Sequence, residues 1–348
     1  MVNKLNFDKS DILVITGVCG TVGQELLRQI TLLEESQQPR KIIGLDNNES
    51  SLFFLEQKYR AQKWINLYFQ DIRDQEGLDI RLRGATYVIH TAALKHVIIS
   101  ETSPYDAAMT NIVGLQNLIK AVQRVGSIKQ FVFTSSDKAV NPTNVMGTTK
   151  LMGERLVTAA NIEYAESKMI FYSVRFGNVL GSNGSVIQIF YEQIKNNKKL
   201  TLTDMAMTRF VMNVEQAAML ILDSMKIACG GEVFITKMPV LKISDLAKAL
   251  LSYYGKDPEN DSLMEIIGRK PGEKLYEELM TFEEINRSYD IGEYFAVLPA
   301  LEQLYPTRGY EYIASHKKAE KNYISNEEVS MSRDEILDVI SPILGSLE

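Results

Sequence analysis

Ser136-Asp137-Lys138 places a hydroxyl, a carboxyl and an amine in consecutive positions, directly after the apolar run Gln130-Phe131-Val132-Phe133-Thr134. An acid and a base side by side at a strand end are the types that proton transfer needs. A surface ion pair after a strand is the plain alternative. Thr16-Gly17-Val18-Cys19-Gly20-Thr21-Val22-Gly23 carries different chemistry. Gly17, Gly20 and Gly23 permit a tight reversal and let the backbone approach a pyrophosphate. Thr21 and Val22 open a helix whose N–H groups and positive dipole end face the phosphates. An ordinary glycine-rich turn is the alternative here, but an acid ends the next strand about 20 residues on, as a dinucleotide site requires.

That acid is Asp46, followed by Asn47. It can accept from both hydroxyls of an adenosine ribose and would repel a 2′-phosphate, so NAD is expected over NADP. In Gln70-Asp71-Ile72-Arg73, Asp71 and Ile72 have the place of an adenine clamp; a helix N-cap is the other reading of Asp71. In His90-Thr91-Ala92-Ala93-Leu94-Lys95-His96-Val97, the small Ala92 and Ala93 let a ribose and a nicotinamide lie close to the backbone.

The elements that carry these groups alternate. Strands are expected at Ile12–Thr16, Lys41–Leu45, Ile65–Phe69, Thr86–His90, Gln130–Thr134 and Ile170–Val174, with helical spacing at Val22–Ile30 and Met109–Val125. That alternation predicts an α/β fold, a Rossmann-type doubly wound parallel sheet. Residues 1–175 are expected to form the NAD-binding domain, with later strands from about 205–240 returning to it. Residues 176–348 are expected to be mainly a smaller C-terminal substrate-binding region. Leu200–Thr203 and Val233–Thr236 read as short strands there, and Ile243–Tyr254 as a helix.

Composition closes other doors. The 348 residues are 45% hydrophobic and 24% charged, the balance of a globular chain. With 38 Lys and Arg against 44 Asp and Glu the net charge is −6, a poor basis for binding nucleic acid or anionic lipid. Two cysteines, Cys19 and Cys229, and three histidines supply neither a disulfide framework nor a metal site. No apolar run approaches the ~20 residues of a membrane span. A cytoplasmic protein with no membrane insertion is the expectation.

Several long motifs in order resemble extended short-chain dehydrogenases/reductases, and more narrowly the nucleotide-sugar 4,6-dehydratases of the polysaccharide-biosynthesis branch. They are the Thr-Gly-x-x-Gly-x-x-Gly start, Ala92–Val97, Ser136–Pro142, Arg175–Ser182, Met207–Met212 and Arg269–Leu279. The superfamily carries Tyr-x-x-x-Lys where this chain has Met146-Gly147-Thr148-Thr149-Lys150. A thioether does no proton chemistry at neutral pH. Some members of the dehydratase branch also have Met there, so Met146 reads as a subfamily mark.

The resemblance implies an internal redox cycle on UDP-N-acetylglucosamine or a GDP-linked equivalent, giving a 4-keto-6-deoxy sugar for surface glycans. Asp137 would protonate the leaving O6 and receive the O4 proton, Ser136 would hydrogen-bond the 4-keto oxygen, and Lys138 would be the base at C5. Lys138 must be neutral for this, and burial together with the Lys150 cation would push its pKa down. Lys150 would contact the nicotinamide ribose, and Lys95 both cofactor and substrate. Lys95, His96, Arg175, Asn178, Arg209, Arg269 and Glu273 would hold the substrate, the arginines gripping diphosphate through their planar forks. Arg175 could instead be a structural ion-pair partner. A homo-oligomer is implied as well. Two rival readings remain at this point, a nucleotide-sugar 4-epimerase and a non-catalytic NAD-binding regulatory protein.

Overall fold

The computed structural model describes residues 7–164, 168–182, 184–301, 309–345 and 347. The first stretch alternates as β1 (Ile12–Thr16), α1 (Thr21–Thr31), β2 (Lys41–Asp46), α2 (Glu49–Lys58), β3 (Ile65–Phe69), α3 (Gln75–Arg81) and β4 (Tyr87–His90). Next come α4 (Val97–Thr102), α5 (Pro104–Ala108), α6 (Leu115–Val125), β5 (Gln130–Ser136), α7 (Val145–Glu163) and β6 (Ile170–Phe176). The order then loosens into β7 (Asn178–Val179), α8 (Val186–Lys195), β8 (Leu200–Leu202), β9 (Thr208–Met212) and α9 (Val214–Ile227). It continues through β10 (Val233–Thr236), β11 (Val240–Lys242), α10 (Ile243–Tyr253) and β12 (Met264–Ile266). The chain ends with α11 (Phe282–Ile285), β13 (Ser288–Asp290), β14 (Tyr294–Val297), β15 (Lys317–Lys318) and α12 (Arg333–Gly345).

Ten strands form one sheet in the order β15-β13-β14-β10-β6-β5-β4-β1-β2-β3. From β10 to β3 every neighbouring pair is parallel, and β14, β13 and β15 close the other end antiparallel. β1 pairs with both β2 and β4, so the strand order reverses there. Open α/β sheets bind ligands at the carboxyl ends of the strands beside such a reversal. β1 is buried at every position, as expected of a strand covered on both faces. One core cluster sets Leu26, Leu27 and Ile30 of α1 against one face. Another sets Leu115, Leu118 and Val122 of α6 against the other. A third gathers α8, α10, α12 and β8 around Phe190, Leu246 and Ile340.

Three features differ from the expectations. The helix expected over Met109–Val125 begins with a π-turn at Met109–Gly114 before α6. Such wide turns often sit at functional places, and this one carries the buried Asn111. Of the chain between about 205 and 240, β10 lies in the large sheet, whereas β9 pairs with β7 and β11 in a separate three-stranded sheet. Residues from Ser288 to Lys318 also supply β13, β14 and β15 to the large sheet. The later chain is therefore shared between the sheet and the third core. Among the described residues no helix is long and apolar enough to cross a membrane.

Candidate active site

Glycine is required where β1 turns into α1. Gly17 has φ 69°, and a Cβ there would stand 2.6 Å from the backbone nitrogen of Ala92. The turn and the segment after β4 thus touch backbone to backbone at the reversal of the sheet. A Cβ at Gly23 would collide with the carbonyl of Gly17. α1 starts from Gly20 with no side-chain cap and no acid in its first turn, which leaves its N–H groups to an anion. Asp46 at the end of β2 reaches the same turn. Its Oδ2 accepts from the Cys19 N–H at 2.9 Å and its Oδ1 from the Asn48 N–H at 3.0 Å. Burial and this carboxylate push the Cys19 thiol up to about 12, so it is no nucleophile.

Asp71 does not cap a helix. It accepts from the Arg73 guanidinium at 2.6 and 3.0 Å, Asn47 hydrogen-bonds to it, and α3 is capped by Asp74. The buried Ile72 packs where a Cβ on Gly114 would stand. Lys95 and His96 are exposed at the start of α4, with His96 Cε1 3.1 Å from the place of a Cβ on Gly184.

Lys150 sits behind the reversal. Its Nζ donates to the Thr134 carbonyl at 2.8 Å and lies 4.8 Å from the centre of the Phe133 ring. Burial brings its ammonium down to about 8. Burial, with Lys150 near it, depresses His90 to about 3, so the imidazole is neutral where it meets the Thr16 hydroxyl at 2.7 Å. Asn111 ties the segment after β4 to helix α7. Its Oδ1 accepts from the Leu94 N–H at 2.8 Å, and its Nδ2 donates to the Leu94 carbonyl and the Thr149 hydroxyl at 2.9 Å each. Met146, buried on α7, is one turn from Lys150.

Charged groups also gather at the end of β5. Ser136 Oγ donates to Asp137 Oδ1 at 2.8 Å, and Lys138 Nζ donates to the same oxygen at 3.0 Å. Lys138 Nζ also faces Asn178 Oδ1 at 3.4 Å and Glu277 Oε1 at 3.5 Å. Two carboxylates outweigh burial and the Arg209 cation, and hold Lys138 above its ordinary range. This corrects the expected neutral amine: Lys138 rests as an ammonium. Asp137 is wholly buried, and its Oδ2 has no hydrogen-bond partner among the described residues.

The remaining arginines divide. Arg209 on β9 is nearly buried; it donates to the carbonyls of Thr208 and Lys274 at 2.8 Å each, and its Nη2 lies 4.0 Å from Glu273. Arg269 is 56% exposed and 3.9 Å from Asp204. Arg175 does not reach the site. It is 1% exposed and lies between Glu154 at 2.7 Å and Glu284 at 3.0 Å, with Leu279 O accepting at 2.8 Å. A fully satisfied buried guanidinium has no donor left for a substrate, so Arg175 is the ion-pair partner and not a substrate ligand.

Sequence reasoning passed over Glu277 and Asn111 as site residues. Glu277 stands inside the Arg269–Leu279 motif, where three glutamates are chemically alike on paper. Only the straps from this loop to the β5–α7 connection single it out. Lys274 Nζ donates to the Val140 carbonyl at 2.7 Å, and Asn144 Nδ2 donates to the Gly272 carbonyl at 2.9 Å.

Sheet, glycine turn and the charged cluster at the end of β5 define a Rossmann-fold protein of the short-chain dehydrogenase/reductase kind. The chain belongs to the polysaccharide biosynthesis protein family, whose model matches residues 13–299. It is 34% identical over 346 residues to the UDP-N-acetylglucosamine 4,6-dehydratase (inverting) of Campylobacter jejuni, covering 97% of this chain and 99% of that one. The X-ray structure of Pen from Bacillus thuringiensis superposes with a TM-score of 0.86 at 38% identity, over 97% of this chain and 99% of that one. DesIV, the dTDP-glucose 4,6-dehydratase of Streptomyces venezuelae crystallised with NAD, shares the fold with a TM-score of 0.66 at 21% identity, over 76% of this chain and 86% of that one.

Proposed function

We propose that this chain is an NAD-dependent nucleotide-sugar 4,6-dehydratase, a hydro-lyase that takes UDP-N-acetylglucosamine, or a GDP-linked equivalent, to the 4-keto-6-deoxy sugar. The observation that carries the reading is the Ser136–Asp137–Lys138 cluster, set at the end of β5 in the sheet whose β1–α1 turn forms the dinucleotide cradle. Elimination across C5 and C6 needs such a pair, whereas epimerisation at C4 does not. The Campylobacter relative, similar over nearly its whole length, supports the same chemistry.

The residues around the glycine turn fit NAD. Gly17, Gly20 and Gly23 with the open start of α1 would take the diphosphate, Asp46 the adenosine ribose, and Ala92, Ala93 and Lys150 the nicotinamide half. Bound NAD would supply reversible hydride acceptance. The chain moves the protons. Asp137 Oδ2, buried and unpartnered, receives the O4 proton while Ser136 holds the oxygen as it becomes a ketone. That ketone acidifies C5–H, and Lys138, an ammonium at rest, takes the proton once it has given up its own. Asp137 returns its proton to O6, water leaves, and Lys138 gives a proton back to C5. Arg209, Arg269, Asn178 and Glu273 hold the nucleotide diphosphate and sugar together with Lys95 and His96. The product would enter surface glycan synthesis in the cytoplasm, with the enzyme working as a homo-oligomer.

Incubation with UDP- and GDP-N-acetylglucosamine followed by mass spectrometry tests the reading. Loss of one water is expected, and in deuterated solvent the label enters at C5. A product of unchanged mass with inverted C4 would establish an epimerase. Tight NAD binding with no turnover of any amino-sugar nucleotide would establish a non-catalytic protein.

A further inference from the structure

Glu277 lies opposite Lys138 with a buried carboxylate that pairs with cations through one oxygen only. Its Oε1 is approached by Lys138 Nζ at 3.5 Å and by Arg209 Nε at 3.6 Å. Its Oε2 is buried and has no hydrogen-bond partner among the described residues. The backbone on either side is pinned by Ser325, whose Oγ accepts from the Glu277 N–H at 2.9 Å and whose N–H donates to the Glu277 carbonyl at 2.9 Å. The carboxylate is thus held in place with one oxygen free. A buried acceptor left open in a charged cluster asks for an explanation.

We propose that Glu277 is the proton partner of Lys138, taking a proton from the resting ammonium so that the amine can act at C5, and giving it back when the cycle closes. This rests on the reading of Lys138 as the base at C5. In the step one N–H bond of the ammonium breaks and one O–H bond forms on the carboxylate. The pair passes from ammonium and carboxylate to amine and carboxylic acid with no change in net charge. Asp137 is the less suited of the two carboxylates. Its Oδ1 already accepts from both Ser136 and Lys138, and its Oδ2 is reserved for the protons of O4 and O6.

The surroundings favour the transfer from both sides. Asp137 from the end of β5 and Lys138 beside it, Asn178 from β7, Arg209 from β9, and Lys274 from the Glu277 loop are the polar and charged groups that face the pair. Burial and the neighbouring Asp137 raise Glu277 above the ordinary carboxyl range, although Lys138, Arg209 and Lys274 oppose them. A carboxyl made easier to protonate is the acceptor an ammonium needs. Because the proton stays within the pair, the wild-type rate should not follow the Lys138 titration through neutral pH.

Glu277→Gln tests this in the NAD-loaded enzyme, with kcat for dehydration and for C5 exchange measured across pH. The wild type is expected to be flat near neutrality. The variant, with no internal acceptor, is expected to fall ~10²–10⁴-fold at neutral pH and to recover about tenfold per pH unit toward alkaline pH. Glu277→Asp keeps a carboxyl and is expected to keep the flat profile at a lower rate. It also stands in should the glutamine variant not fold, because a rate that climbs with pH in the aspartate variant overturns the proposal. So does a glutamine variant whose profile runs parallel to the wild type at any rate. A wild type that dehydrates no nucleotide sugar refutes the functional reading itself, and is recognisable without either variant.

Discussion

The carbonyl of Lys138 lies against the α-carbon of Gly147, so close that a Cβ at Gly147 would overlap it. Helix α7, capped by Asn144, whose side chain accepts from the Gly147 N–H at 2.7 Å, therefore starts in contact with the acid–base pair. Gly147→Ala must push the Lys138 backbone outward. A misplacement of this kind costs on the order of 10²-fold in rate, so kcat should fall by about that much while NAD affinity stays within a few-fold. Steady-state kinetics beside NAD titration checks this; unchanged kcat would mean that Lys138 is not at the chemistry.

Asp46 bears on the choice of cofactor. Its carboxylate is turned onto the glycine turn by the Cys19 N–H, where it would repel a 2′-phosphate. NAD should bind at least tenfold more tightly than NADP, and Asp46→Ala should weaken NAD by ~1.5–3 kcal/mol while narrowing the gap. Calorimetry with both cofactors decides it, and equal affinities in the unmutated protein would remove Asp46 from the site.

Lys150 has a pH signature. Its pKa falls from 10.5 when exposed to about 8 in the fold, so between these values the unfolded chain holds a proton that the native one has lost. Stability then rises with pH, by at most about 1.4 kcal/mol per unit. Denaturant melts of the wild type and Lys150→Met should show a stability difference that shifts toward the wild type from pH 8 to 10. A constant difference would mean that the ammonium is not desolvated.

Arg209 and Arg269 should separate in their effects. Both are proposed to hold diphosphate, and loss of a charge-assisted hydrogen bond raises KM about ten- to more than a hundred-fold. Arg269 is exposed and makes only a distant contact with Asp204, so Arg269→Ala should leave the melting temperature unchanged. Arg209 also carries the Thr208 and Lys274 carbonyls, and Arg209→Ala should lower stability and loosen Glu277 as well. Equal thermal stability of the two variants would contradict this division.

What the sequence by itself determined is what is local. The glycine turn, the strand-end positions of Asp46 and Asp137, and β1, β3 and the alternation through β6 follow from neighbouring residues, because turn chemistry and apolar periodicity act over a few positions. Tertiary structure decided what depends on distant partners. Whether β9 or β10 joins the large sheet is not written in either strand, since both are short and buried at every position. Arg175 reads as a phosphate ligand until Glu154 and Glu284 are seen to enclose it. The charge of Lys138 depends on distant partners for the same reason. Burial and Lys150 could be named from the sequence, but Glu277 comes from a loop far along the chain, and an electrostatic balance in a buried site is set by which charges lie within a few ångströms.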